Sequence, residues 1–261
     1  MHLYNIFKSF LRLFNLSITR YDFYEKLKEN QKDLENFKIL VALDRTDIEK
    51  KKTFIDISNS ELKQDFFVLN TLNFKKGGYF VEFGSCNGLE FSNTLLLEKK
   101  FGWNGILAEP ARYWHNELKK NRNCNIETNC VWKESGAKLT FKETKLALYS
   151  TIKNLSNKDL HKDLRNKGTT YEVNTISLDD LLKKYKAPKN IDYLSIDTEG
   201  SEYDILQSFD FDKYNIKIIT CEHNYTEFRS KIFQLLTTKG YKRVYQELSK
   251  HDDWYIKLNG I

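Results

Sequence analysis

Gly77-Gly78-Tyr79-Phe80-Val81-Glu82-Phe83-Gly84-Ser85-Cys86-Asn87-Gly88 is a short apolar run that closes on an acid and then on a turn bracketed by glycines. Its first half reads as a strand over Tyr79–Phe83, because aromatic and β-branched side chains suit a pleated, buried surface. Behind the turn, apolar residues from Leu89 to Lys100 recur at helical spacing. Strand, glycine turn and helix make a nucleotide-handling element, since Gly84 and Gly88 admit a sharp turn and a close ligand where a Cβ would clash. The spacing G-x-x-x-G differs from the G-x-G-x-x-G that seats a pyrophosphate. A wider turn carrying Glu82 suits a ligand with an ammonium and a sulfonium and no phosphate, which points to S-adenosylmethionine.

Outward from this stretch the pattern alternates. Strands are expected over Asn104–Glu109, Asn125–Asn129, Lys138–Phe141, Ile191–Ile196 and Ile216–Cys221. Helices are expected over Arg112–Asn121, Leu178–Tyr185, from Glu202, and through Leu236 to Gly240. Tyr241–Gln246 and Asp253–Leu258 are expected to close the chain as an antiparallel pair. Upstream, a helix from Glu61 leads into the first strand. Residues 1–60 read as an N-terminal helical extension of two or three helices ending in an extended piece, Thr53–Ile57. The fold class is α/β: a Rossmann-like, doubly wound sheet over 61–261, mostly parallel with an antiparallel last strand. In such sheets ligands bind beyond the carboxyl ends of the central strands. Leu146–Thr170, polar and rich in lysine, reads as a loop that covers the acceptor or as a solvated insertion.

The totals narrow the function class. With 40% apolar and 14% aromatic residues, the 261-residue chain has the means for a sizeable core. A net charge of +6 from 42 basic and 36 acidic residues is mildly basic, compatible with anionic or phosphorylated acceptors. It is too dispersed for nucleic acid, and no base-reading motif is present. Cys86, Cys124, Cys130 and Cys221 have no framework spacing and read as buried thiols of a reducing, cytoplasmic compartment. No run approaches the roughly 18 apolar residues of a membrane span. Residues 1–20 read as an amphipathic helix packed on the domain or resting weakly on a membrane surface.

The chemistry is written where apolar strands stop. Glu109-Pro110 ends the second strand, where a carboxylate can accept both hydroxyls of a ribose. Read alone, it is also a surface acid ahead of a proline-started helix. Asp197 and Glu199 follow the strand Ile191–Ile196, two apart and so directed to one side along an extended chain. Glu222 and His223 follow Ile216–Cys221. If those two strands are neighbours, Asp197, Glu222 and His223 form a divalent-metal set suited to Mn²⁺ or Mg²⁺. A metal there would hold acceptor oxygens and acidify a hydroxyl. The metal-free alternative uses Glu199, Glu222 or His223 as general base for the same hydroxyl. Asp197, Glu199 and His223 are accordingly the catalytic candidates.

From about Ser60 to the last strands, the chain resembles the FkbM-type S-adenosylmethionine-dependent methyltransferases. The resemblance rests on Gln64-Asp65, Gly78 to Gly84, Ser92-Asn93-Thr94, Leu97-Glu98-Lys99, Gly102 to Pro110 and Leu194 to Gly200. It implies O-methylation, often of sugars in surface polysaccharides such as capsule, or in natural products. Carried over by position, Glu82, Gly84, Ser85, Asn87 and Gly88 would line the methionine end of the cofactor. Glu109 and Pro110 would take the ribose, and Asn129, Cys130 and Val131 would lie near the adenine. Cys86 has no assigned role, and the first 55 residues match nothing in the family. Two rival classes fit less well. A nucleotide-binding dehydrogenase has the wrong glycine spacing, and a non-catalytic binding subunit has no reason to keep Asp197, Glu199, Glu222 and His223 together.

Overall fold

Continuous apolar runs make the buried strands of a parallel sheet, and five of them lie side by side here. The computed structural model describes residues 21–43, 46–144, 149–155, 162–165 and 168–258. The expected helix over 1–20 and parts of the 146–170 segment lie outside the described residues. The chain divides into two compact units between Asp56 and Ile57. In the first unit, helices α1 (Tyr21–Leu43) and α2 (Ile48–Asp56) pair. The expected extended piece Thr53–Ile57 is instead mostly the end of α2. Thr53 Oγ donates to the Lys50 carbonyl and Lys52 bonds Asp56 one turn on, so local bonds override the β-branched propensity.

The second unit holds two sheets. In chain order the strands are β1 (Tyr79–Phe83), β2 (Asn104–Ala108), β3 (Asn125–Glu127), β4 (Cys130–Val131), β5 (Lys138–Glu143), β6 (Thr151–Ile152) and β7 (Thr169–Ile176). They continue as β8 (Asn190–Ile196), β9 (Asn215–Glu222), β10 (Tyr241–Val244) and β11 (Asp252–Lys257). The main sheet runs β10-β11-β9-β8-β1-β2-β3. β3, β2, β1, β8 and β9 are parallel, and β11 is antiparallel to both β9 and β10. The expected doubly wound sheet is therefore present, with its antiparallel strand inserted before the edge.

Register sets the level of the strand ends. Phe83 pairs with both Ala108 and Ile196, and Ile196 pairs with Cys221. Gly84, Glu109, Asp197 and Glu222, one residue further on, therefore emerge from four neighbouring strands at one height. Chain order reverses between β1 and β8, the switch point at which such sheets open a crevice. Beneath it, Val81, Ile106, Leu194, Ile196 and Ile219 are fully buried in one apolar cluster with the flanking helices.

A second sheet, β4-β7-β5-β6, grows from the segment after β3. Of its strands only β5 is expected from the sequence. Three other expectations shift. The helix read from Leu89 begins at Leu95, as α3 (Leu95–Phe101), because Glu82 holds the residues before it in a turn. The helix read from Glu61 begins at Gln64, whose N–H is taken by Ser60 Oγ. The strand read to Gln246 stops at Val244, where a helical turn begins. Cys130 and Cys221 are buried as expected, whereas Cys86 and Cys124 are partly exposed. Among the described residues no helix is long and apolar enough to cross a membrane.

Candidate functional site

The four strand ends open into a cavity of about 380 Å³, the size of a small-molecule site. One side carries Gly84, Cys86, Glu109, Pro110, Cys130 and Val131; another carries Asp197, Glu199, Glu222 and Asn224. Phe141, Tyr149, Ser150 and Ile152, from the second sheet and its connections, complete the wall.

Glu109 follows β2 and is held from both sides. Its two oxygens accept the backbone N–H groups of Cys86 at 2.8 Å and Ala111 at 2.7 Å. Burial outweighs these bonds and pushes its carboxyl up to about 7. Each oxygen keeps a second lone pair for a donor in the cavity.

Three carboxylates gather at the ends of β8 and β9. Asp197, Glu199 and Glu222 each offer an oxygen within 4.8 Å of the others. Burial raises the Asp197 carboxyl to about 7 and, with the negative charge of Asp197, raises Glu222 further above the carboxylate range. Burial and the closeness of the two carboxyls raise both, so the pair keeps a proton between them near neutral pH. Glu199 is brought in by a left-handed residue rather than by strand alternation, with φ of +58°. The loop that carries it is tied down by Glu202, which accepts from Thr198 and Gly200 N–H, both at 3.0 Å. From the second sheet's connection, Arg165 donates to Glu199 Oε2 at 2.9 Å, and Thr151 Oγ donates to the Glu199 carbonyl at 2.8 Å.

His223 stands apart from this trio. Its Nδ1 accepts the Tyr225 N–H at 3.0 Å and its Nε2 lies 3.2 Å from the Asp252 carbonyl. Both ring nitrogens are thus engaged, Nδ1 by the loop after β9 and Nε2 by β11, and burial lowers the imidazole to about 4, keeping it neutral. The expected set of Asp197, Glu222 and His223 is corrected to Asp197, Glu199 and Glu222, because a residue directly after Glu222 turns to the other side of the strand.

The glycine turn also differs from its expected role. A Cβ on Gly84, whose φ is +74°, would lie 1.9 Å from the Asp197 carbonyl oxygen, so the glycine admits the neighbouring strand end. A Cβ on Gly88 would meet Arg122 at 2.6 Å and Leu118 at 2.7 Å. Asn87 Oδ1 accepts the Leu89 and Glu90 N–H groups, and Ser85 Oγ donates to the Ala108 carbonyl. Asn129 donates its N–H to Glu127. Ser85, Asn87, Gly88 and Asn129 shape the loops but do not line the cavity. Glu82 borders it, yet its carboxylate already accepts from Ser92, Asn93 and Thr94.

Sequence reasoning missed Arg122 and Arg165, both fully buried. Arg122 joins Glu98 at 2.7 Å, Ser92 at 2.9 Å and Thr94 at 2.8 Å, fixing the turn behind β1. The sequence signals for this network are its partners, Glu82, Ser92-Asn93-Thr94 and Glu98. Nothing local marks either arginine.

No curated protein matches the chain in sequence. Among solved structures it is similar to a methyltransferase FkbM from Methylobacillus flagellatus KT, with 10% identity and a TM-score of 0.42. That match covers 80% of this chain and 58% of the other, so the chain spans little more than half of that protein's length. A precorrin-6y C5,15-methyltransferase from Geobacter metallireducens GS-15 matches at 8% identity and a TM-score of 0.38, over 74% of this chain and 85% of the other. A chain of a fibrillarin/Nop5p complex matches at 10% identity and a TM-score of 0.35, over 76% and 80%. The family profile described as the methyltransferase FkbM domain matches residues 82–253. That is more than half of the sequence and contains Glu82, Glu109, the carboxylate trio and the crevice between β1 and β8, so the chain belongs to the FkbM methyltransferase family.

Proposed function

We propose that the protein is an S-adenosylmethionine-dependent O-methyltransferase that acts on a sugar hydroxyl, in the building of a surface polysaccharide such as capsule. The observation that carries the reading is the convergence, in one cavity, of a doubly held carboxylate after β2 and a proton-sharing carboxyl pair after β8 and β9. Family membership brings the cofactor, which supplies an electrophilic methyl group on a sulfonium when bound. Glu109 would accept the ribose hydroxyls, with Pro110, Cys130 and Val131 as apolar neighbours for the base. The pair Asp197–Glu222 holds one proton between two carboxyls, so its free oxygen could take the acceptor's hydroxyl proton as the C–O bond forms and the methyl–sulfur bond breaks, leaving a neutral thioether. Glu199, fixed by Arg165, sets the charge beside that pair.

With Asp197 raised to about 7, the base is ionised above neutrality and protonated below it. Methyl transfer should therefore rise from pH 6 to pH 8. Asp197→Asn should lower kcat by about 10²- to 10⁴-fold, the usual contribution of a positioned base. S-adenosylhomocysteine binding should change little. A variant with wild-type turnover would remove Asp197 from the mechanism.

A second reading is favoured by the closeness of the trio. Asp197, Glu199 and Glu222 would hold a Mn²⁺ or Mg²⁺ ion, hard oxygen ligands for a hard cation, and that ion would polarise the acceptor hydroxyl. Full activity in EDTA, with no metal by elemental analysis, decides for the carboxyl pair; activity restored only by added metal decides for the ion.

A further inference from the structure

We infer that the acceptor enters this site without a phosphate or carboxylate, and so after its sugar has left any nucleotide diphosphate carrier; the inference rests on the sugar-hydroxyl reading above. Glu109, Asp197, Glu199 and Glu222 line the cavity, and the exposed Glu61 and Glu90 border it nearer to solvent. Among the described lining residues there is no lysine or arginine. The basic side chain there is His251, whose Nε2 lies 3.9 Å from Glu61. The buried Arg165 and Arg122 near the site are committed to Glu199 and Glu98.

Anions are held by guanidinium or ammonium groups, or by backbone N–H groups at a glycine turn. Of the turn's N–H groups, those of Gly84, Cys86 and Gly88 go to the Ala108 carbonyl, Glu109 and the Ser85 carbonyl. The cofactor adds one net positive charge, from a sulfonium, an ammonium and a carboxylate. With a proton on the Asp197–Glu222 pair and Arg165 against Glu199, the cavity still offers an anion no net positive charge, and the acids Glu61 and Glu90 stand at its rim. A diphosphate in this cavity would meet carboxylates and, among the described lining residues, no lysine or arginine to receive it. A neutral sugar meets a different surface. Hydroxyls donate to carboxylates, and Phe91, half exposed in the cavity wall and held at φ +58°, offers an aromatic face to the ring.

The charge of the wall therefore orders two reactions. Sugars are activated for polymer synthesis as nucleotide diphosphates. A glycosyl transfer, which expels the nucleoside diphosphate and forms the glycosidic bond, is the class of reaction that supplies this acceptor. The experiment incubates the full chain with methyl-labelled S-adenosylmethionine and two acceptor pools. One holds UDP-glucose, UDP-N-acetylglucosamine and GDP-mannose; the other holds the matching methyl glycosides and short neutral oligosaccharides. Label should enter the glycoside pool at least about tenfold better, and millimolar UDP should not inhibit, with or without Mn²⁺. Glu61→Gln/Glu90→Gln, which leaves the deeper carboxylates intact, should make UDP an inhibitor. Equal or better labelling of the nucleotide sugars, or UDP inhibition of the wild type, would overturn the inference. A parallel titration with S-adenosylhomocysteine separates the two claims. No binding there removes the methyl-transfer reading, while binding together with labelled nucleotide sugars removes this inference alone.

Discussion

Arg122 shows how one residue can decide what the residues around it do. Glu82 reads in the sequence as a cofactor ligand, yet its carboxylate serves Ser92, Asn93 and Thr94, with the Arg122 guanidinium 3.9 Å away. Burial pushes the Glu82 carboxyl up, and Arg122 with the three donors pulls it back. Removing the guanidinium would leave Glu82 without its cation in a dry environment and Glu98 with the partly exposed Lys99 alone. Arg122→Met should therefore cost about 3–5 kcal/mol, seen as a lower urea midpoint at an unchanged slope. A loss below about 1 kcal/mol would show that the three neutral donors hold Glu82 unaided. Glu109, Asp197 and Glu222 were legible because each is the first acid after an apolar run. His223 misled because adjacency in sequence is not adjacency across a strand. Arg122 and Arg165 stand among many basic residues, and their partners lie 24 and 34 positions away, so no local pattern announces them.

At the scale of elements, the crevice exists because β1 and β8 end at the same height and touch. Gly84 is the point of contact. With φ at +74° and the Asp197 carbonyl 1.9 Å from where a Cβ would sit, any side chain forces the two strand ends apart. Gly84→Val should lose at least about 3 kcal/mol. For a domain of this size that is a fall in Tm of roughly 6–12 °C. A variant that melts like the wild type but no longer binds cofactor would return Gly84 to a purely ligand-clearing role. The main-sheet strands were legible because buried parallel strands are continuous apolar runs. β7 was not. Thr169–Ile176 mixes threonine, glutamate and asparagine, and only Val173, Thr175 and Ile176 are buried. The two-residue strands β4 and β6 are too short to carry any period at all.

Across the whole molecule, composition and site point in opposite directions. The chain carries a net charge of +6, while the cavity is lined by carboxylates. Total charge led to the expectation of anionic acceptors because it averages over a lysine-rich surface and says nothing about a cavity built from strand ends. The order of α and β elements carried the fold, and the FkbM profile over 82–253 agrees with it. Which loop residues turn inward was settled by side-chain bonds spanning tens of positions, which a linear pattern does not encode. The central claim is that this crevice binds S-adenosylmethionine through Glu109, and isothermal titration with S-adenosylhomocysteine tests it most directly. Glu109→Ala leaves two ribose hydroxyls without their acceptor and should weaken binding by about 1.5–3 kcal/mol, roughly ten- to a hundredfold. A wild type that does not bind, or a variant that binds as tightly as the wild type, would contradict the account.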